Sequence, residues 1–563
     1  MFKSTDTNFS ARGIDGSYDI NQQPSKGGLS GAKGTGRMEI NALLAYDARD
    51  TLKENSTVKG TRNTDYWRAV QLGRPIPPPK QSFAYDKFTA MLKGMGVNMA
   101  RKDNSMALAP LTDSDVGRMS SGEVQSGKMV RAKDLRSERG GLFDEAVTGG
   151  LSGQKWSHIE LGEPVVSPIF TDSARRVLGL SGTELDEKIR RDGGGAIRRE
   201  LNRIDPKARS KELRRSVWKM KPGTNQDNVV KQIKALEAVD KVGMKPGDAW
   251  TMKKLPVLPP MFRPIVPGPR GDILVADVNH MYKDAIIARD KLKEAKKAGL
   301  PSEDIGEVRK HLHDAVGAVV GTREPVSTKL QSTAAKGLLK TVVGTKTGFY
   351  NGKLVANRLD LSGRGTAAPD PSLGMDEVGL PEDMLWSMYN PFVMGRLVKS
   401  GNAALQAKSM LDNRAPRARD ALMAELKSRP VLLNRAPTLH KHGIVSAYAR
   451  PVAGKTIKVN PFIEPGMNLD YDGDALQVYV PASAGAIRDA EKMLVSNNVL
   501  TDKNPGDLNV FPAHEAIIGV YKATEGKATP GKKRRSFATS REALDAYNRG
   551  DVGINDPVEI LRP

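Results

Sequence analysis

Cysteine is absent from this chain of 563 residues. Its absence excludes disulfides, thiol nucleophiles and every cysteine-ligated zinc or iron–sulfur site. Histidine is scarce too: the seven, His158, His280, His311, His313, His440, His442 and His514, contain no H-E-x-x-H pattern. The neighbouring pairs 311/313 and 440/442 read as parts of a basic helix and of a loop rather than as a zinc site. No apolar run is long enough to cross a bilayer, and the N-terminus, Met1-Phe2-Lys3-Ser4-Thr5-Asp6, has no signal-peptide core. The expectation is a soluble, cytoplasmic protein with no membrane partner.

What is present is enough apolar material for several domains, 39% of the residues, and a large excess of positive charge, +22. Such self-repulsion is tolerated most readily when phosphates neutralise it, so a nucleic acid is the natural partner.

One stretch organises the rest: Asn468-Leu469-Asp470-Tyr471-Asp472-Gly473-Asp474. Three carboxylates at alternate positions converge on one point if the backbone turns tightly there, and Gly473 lacks the Cβ that resists such a turn. Hard oxygen ligands at this density favour Mg²⁺, which keeps several waters and takes further oxygens from phosphates. Standing alone, such a turn would more often be a solvated acidic loop. An EF-hand does not fit, because counting from Asp470 places Gly473 fourth rather than sixth and Pro481 where the bidentate Glu belongs. The following Ala475-Leu476-Gln477-Val478-Tyr479-Val480 alternates as a half-buried strand, which predicts a loop entering a strand.

Some thirty residues upstream runs Arg429-Pro430-Val431-Leu432-Leu433-Asn434-Arg435-Ala436-Pro437-Thr438-Leu439-His440. With this segment the chain resembles beta prime, the largest catalytic subunit of multi-subunit DNA-dependent RNA polymerases: L-N-R-A-P-T-L-H and N-x-D-x-D-G-D, at this spacing, mark that subunit's double-psi β-barrel. The resemblance implies that Asp470, Asp472 and Asp474 chelate the catalytic Mg²⁺. It also places Arg435 and Asn468 where the family recognises the sugar hydroxyls of the incoming ribonucleotide. Tyr471 stands where Phe is usual, and Ala475 where Gln or Glu is usual, which removes one polar group beside the metal.

Two further resemblances set the organisation. Four segments in order, Q-Q-P-S-K-G-G at 22–28, G-R-M-E-I-N-A-L-L-A-Y-D-A at 36–48, T-L-K-E-N-S-T-V-K at 51–59 and S-F-A-Y-D-K-F-T-A-M-L-K-G-M-G-V-N at 82–98, look like the C-terminal tail of the beta subunit. Beyond 115, Glu138-Arg139-Gly140-Gly141-Leu142-Phe143-Asp144 and Ser157-His158-Ile159-Glu160-Leu161-Gly162-Glu163-Pro164 follow the start of beta prime, without the zinc ribbon the family inserts between them. No structural zinc is expected. The chain therefore reads as a beta tail fused to the front half of beta prime, with a bacteriophage or other mobile element as a source, and virion packaging conceivable. Joining the two pieces makes an association intramolecular.

The expected fold is α+β and multidomain: helical clamp regions, an αα-hairpin and the double-psi barrel. The expected segments are a beta-tail clamp anchor at 1–112, a clamp base at 113–270, a coiled-coil hairpin at 271–325, a switch region with the barrel at 326–490, and a post-barrel region at 491–563. Apolar positions 40, 43, 44 and 48 predict an amphipathic helix that needs a partner surface. The Arg-rich stretch 183–250 is helical in pattern, with breaks at Gly193-Gly194-Gly195 and Pro222-Gly223, and reads either as a solvated face or as a DNA-contacting one. Leu255 to Pro264 is too rich in proline for a helix or a central strand. Between 284 and 320 two helical patterns flank Ala298-Gly299-Leu300-Pro301-Ser302, an αα-hairpin that in the family docks a specificity factor. Within 326–366, spaced cations including Lys346, Lys353, Arg358 and Arg364, separated by glycines, suit contact with a phosphate backbone without base reading.

The implied activity is Mg²⁺-dependent ribonucleotidyl transfer by a two-metal mechanism, one metal held by the protein and one arriving with the triphosphate. The implied partners are a DNA template, nascent RNA, ribonucleoside triphosphates, the remainder of both large subunits and a sigma-like factor. The family's bridge helix and trigger loop are expected beyond residue 563. Two other readings stand beside this one: a silencing-type RNA-dependent RNA polymerase, which shares D-x-D-G-D, and a non-catalytic nucleic-acid-binding scaffold.

Overall fold

Alternation of apolar and polar residues in the C-terminal half builds a closed ring of strands. In the computed structural model, which describes residues 9–561 apart from 103–104, 131–135, 269–271, 345–347, 501–505, 514 and 526–533, the chain divides into two units. The first comprises residues 1–82 with 356–563, and the second residues 83–355. The expected bounds at 112 and 325 both fall inside the second unit.

In the first unit, strand β1 (Ser10–Arg12) lies beside a barrel made of β2 (Ser362–Pro369), β3 (Glu377–Pro381), β4 (Val431–Arg435), β5 (Ile444–Val452), β6 (Ile457–Val459) and β7 (Ala475–Tyr479). The six strands follow the order β2-β6-β3-β5-β4-β7, and β7 pairs back onto β2 to close the ring. The β2–β6 and β3–β5 pairings are parallel, and the other four are antiparallel. Because successive side chains point to opposite faces, Val431, Leu433, Leu476 and Val478 enter the main core while Leu432 and Tyr479 face outward. The helix Glu382–Lys399 adds Met384, Leu385, Met388 and Tyr389 to the same core. Its close approach to β2 needs a glycine: a Cβ at Gly363 would lie 3.2 Å from the Met384 sulfur and 3.3 Å from that of Met388.

The N-terminal segment is built into this unit. Outward-facing Leu432, Ile444 and Tyr479 are covered by Ala42 and Leu43 of the helix Arg37–Ala45 and by Ala48. The expected amphipathic helix therefore finds its partner, but with a shifted face: the helix ends at Ala45 and Leu44 is exposed. Buried polar ties add to the packing. Arg12 Nε donates to Asp360 Oδ1 at 2.7 Å, both side chains being out of solvent, and Tyr18 donates its hydroxyl to Asp360 Oδ2 at 2.7 Å. Burial pushes the Asp360 carboxyl up to about 6 even though the Arg12 charge and the hydrogen bonds pull it down. Glu54 accepts from the backbone N–H groups of Ala482 (2.9 Å) and Ser483 (2.6 Å) and lies 3.3 Å from buried Lys59, which donates to Val480 O at 3.0 Å.

In the second unit, a three-stranded sheet of Ser120–Glu123, Trp156–Val166 and Thr251–Val257 packs with the helices Asp277–Lys297 and Ser302–Val320 around one core. The two helices are joined by the turn 298–301, which Gly299 enters with φ +63°. Thr251–Val257, containing Pro256, is an edge strand, the position proline tolerates. Beyond it the proline-rich run wraps around buried Arg263, whose guanidinium donates to Leu258 O (2.6 Å), Leu142 O (2.5 Å) and Asn279 Oδ1 (2.8 Å). A smaller core unites the helices Gly182–Asn202, Pro206–Val217 and Thr224–Lys241. The first of these kinks at Gly193, where φ is +73°.

Candidate metal and nucleotide site

The aspartate loop connects the short helix Glu464–Met467 to β7. Asn468 ends that helix in the left-handed conformation (φ +50°), and the Leu469 N–H closes onto Glu464 O at 2.9 Å. Leu469 is buried and Tyr471 packs against the core, so the alternating Asp470 and Asp472 are turned outward into solvent. Gly473 then takes φ +131°, outside the range an L side chain adopts without strain. The Ala367 N–H of β2 donates to Asp474 O at 2.8 Å and anchors the end of the loop to the barrel.

The result is convergence. One carboxylate oxygen from each of Asp470, Asp472 and Asp474 lies within 4.8 Å of the others. The Asp470 N–H also approaches Asp474 Oδ2 at 3.5 Å. The crowding is legible in the titration of Asp472, whose carboxyl is pushed up from its ordinary value. A hydrogen bond with Asp470 and that residue's charge act first, then burial and Asp474, while Arg435 opposes them. Three hard oxygen donors that repel one another and open to water suit Mg²⁺, which removes the repulsion and leaves room for waters and phosphate oxygens.

Arg435 ends β4 directly across from Leu476 of β7. From there its Nε donates to Asp474 Oδ2 at 2.8 Å, in a partly buried pair. Asn468, exposed at the start of the loop, sits two residues before the first aspartate. Thus the barrel brings Arg435 to the aspartates, with Asn468 at the entrance of the same loop.

Of the four expected cations, Arg358 and Arg364 lie in the first unit. Arg358 is held by Asp19 at 2.9 Å, and Arg364 is exposed on β2 between Ser10 of β1 and Gln477 of β7. Burial, and then repulsion from Arg364, lowers the pKa of nearby Lys33. Lys353 is half-buried in a helical turn, Tyr350–Val355, of the second unit, and Lys346 lies outside the described residues.

One contact beside the site escapes sequence reasoning. Buried Asn434 accepts from the Thr438 hydroxyl at 2.6 Å and donates to Glu39 Oε1 at 3.5 Å. Glu39 Oε2 in turn accepts from the Gly36 N–H at 2.7 Å, so a helix start from the N-terminal segment is tied to the residue preceding Arg435. Nothing local signals a bond between residues 395 positions apart.

Part of the barrel and the whole aspartate loop fall within a known class of domain: residues 404–496, which contain four of the six strands, β4 to β7, and all three aspartates, match the family model RNA polymerase Rpb1, domain 2. More of the chain is similar to subunits of DNA-directed RNA polymerases. It is 33% identical over 374 residues to the beta prime subunit of Methylobacillus flagellatus, covering 65% of this chain and 26% of that subunit. It is 31% identical over 373 residues to the beta prime subunit of Mesoplasma florum, covering 65% and 30%. With the gamma subunit of a Synechococcus strain it shares 30% over 385 residues, 68% of this chain and 61% of that subunit. The chain thus spans between a quarter and three fifths of the length of these relatives.

Proposed function

We propose that this protein is a catalytic subunit of a multi-subunit DNA-dependent RNA polymerase, active in ribonucleotidyl transfer together with companion chains. The observation that carries the reading is the aspartate triad, with oxygens within 4.8 Å of one another and Arg435 bonded to Asp474, inside the segment that matches the polymerase domain. The six-stranded barrel beneath it is, in this reading, the double-psi barrel.

Asp470, Asp472 and Asp474 would hold Mg²⁺. That ion supplies charge neutralisation at a transferring phosphoryl group and lowers the pKa of a bound hydroxyl. Arg435 and Asn468 orient the ribose of the incoming nucleotide, Arg435 being fixed for this by its bond to Asp474. Alignment and charge carry such a transfer, so no histidine base is needed.

The N-terminal segment is read as a beta tail fused to beta prime sequence, since its helix and strand are built into the barrel unit. The helical pair Asp277–Lys297 and Ser302–Val320 is read as the clamp coiled coil, a docking place for a sigma-like factor. DNA template, nascent RNA and the remainder of both large subunits complete the assembly, and a phage origin accounts for the fusion.

The test is purification of the chain with its natural companions, followed by extension of an RNA primer on a DNA template with ribonucleoside triphosphates and Mg²⁺. Extension by the wild-type assembly and its loss with Asp472→Ala supports the proposal. Undiminished extension by the variant assembly overturns it.

A further inference from the structure

The chain has five tryptophans. Trp67, Trp250 and Trp386 are buried and Trp156 is half-buried, but Trp218 is 88% exposed. It follows the helix Pro206–Val217 and opens the turn 218–223 that leads into the helix Thr224–Lys241. These helices meet through Leu213, Ile233 and Leu236, in a core that Trp218 does not join. A large, rigid aromatic surface left in water on a helical turn has the form of a contact surface awaiting a flat partner.

The charge around it is equally unspent. On the same helix, Arg209 is paired with Glu212 at 2.7 Å and Arg214 with Glu237 at 2.6 Å. By contrast Arg215, Lys219 and Lys221 are exposed, and none of the three has an ion pair among the described residues. Pro222 and Gly223, the latter at φ +155°, close the turn without adding bulk. Asp227, in the first turn of the following helix, is six positions beyond Lys221.

We propose that the turn around 215–221 is a binding surface for single-stranded nucleic acid. Trp218 stacks on an unpaired base while Arg215, Lys219 and Lys221 neutralise the phosphates on either side. Carboxylates alone would satisfy the three cations but offer the indole no π-face, whereas every nucleotide of a strand supplies a phosphate and a base face together. The proposal stands on exposure and charge in the second unit and does not rest on the aspartate site.

The test is titration of the full-length chain with oligo(dT) of about twelve nucleotides, followed by indole emission and by an independent binding measurement. Binding is expected to quench an emission component that Trp218→Ala lacks, and to weaken at least about fivefold in that variant, with Trp218→Phe retaining most of the affinity. Lys219→Ala with Lys221→Ala should flatten the slope of log K against log salt by about 1.4. Circular dichroism of Trp218→Ala should match wild type, since the side chain belongs to no core. Unchanged oligo(dT) affinity in Trp218→Ala overturns the proposal, as does equal quenching by polyglutamate, which would make this a surface for acidic polypeptides.

Discussion

Arg435 Nε lies 2.8 Å from Asp474 Oδ2, so one member of the acidic triad already holds a cation supplied by the protein. The arginine therefore has two opposed effects: it orders Asp474 and it competes electrostatically with a divalent ion. Replacing Arg435 by Ala should tighten divalent binding by about two- to fivefold, the worth of a partly exposed pair, while raising the KM for ribonucleotides. Isothermal titration with Mn²⁺ and steady-state extension kinetics check the two halves separately.

Asp470 and Asp472 point into solvent, and neither supports the core. Asp472→Asn should leave stability within about 0.5 kcal/mol of wild type but reduce Mg²⁺-dependent extension by at least about a hundredfold. Thermal unfolding, read beside primer extension, separates loss of chemistry from loss of fold.

The buried pair Arg12–Asp360 joins the end of β1 to a residue two positions before β2. Arg12→Met leaves a carboxylate buried without its cation and should destabilise the first unit by about 3–5 kcal/mol. The double change Arg12→Met with Asp360→Leu should cost less than Arg12→Met alone, because neither charge is then stranded. Denaturant unfolding of the two variants, compared as a cycle, reports the difference.

His313 is buried on the helix Ser302–Val320. Burial first, then the charges of Arg323 and Lys310, against the pull of Asp186, lower its pKa to about 3. It stays neutral in the folded protein, while in the unfolded chain it takes up a proton near pH 6.5. Stability is therefore present above about pH 6.5 and is lost as pH falls toward 3. At pH 5 the loss from this one group should be about 2 kcal/mol, and His313→Gln should lack it. Hydrogen exchange across residues 302–320 at pH 7 and pH 5, corrected for intrinsic rates, measures the local opening energy in both proteins.

Much of the site is legible along the chain because its logic is local. Leu469 and Tyr471, turned toward the core, leave the alternate positions Asp470 and Asp472 facing outward, Gly473 permits the bend, and a period of two announces β7. The same rule works less well on the helix at 37–45. There the pattern shows that a face will be covered but not how far the helix runs, and the barrel takes Ala42 and Leu43 while leaving Leu44 in water. Charge is the poorest guide. Arg358 reads as a free cation until Asp19, distant in sequence, is found beside it, and nothing near Arg263 tells that its charge is buried among backbone carbonyls. Glu39 meets Asn434 only because β4 and the N-terminal segment share one unit.

That shared unit has a consequence for synthesis. Residues 83–355 form a compact body of their own, made after the N-terminal segment and before the barrel. A ribosome therefore releases Arg12, Lys59 and the apolar side of helix Arg37–Ala45 long before Asp360, Val480 and Leu432 exist to receive them. The early segment must wait in the open while the middle of the chain folds, and only the last third of translation gives it a seat. Nascent chains stalled ahead of residue 432 should be the form most readily captured by chaperones.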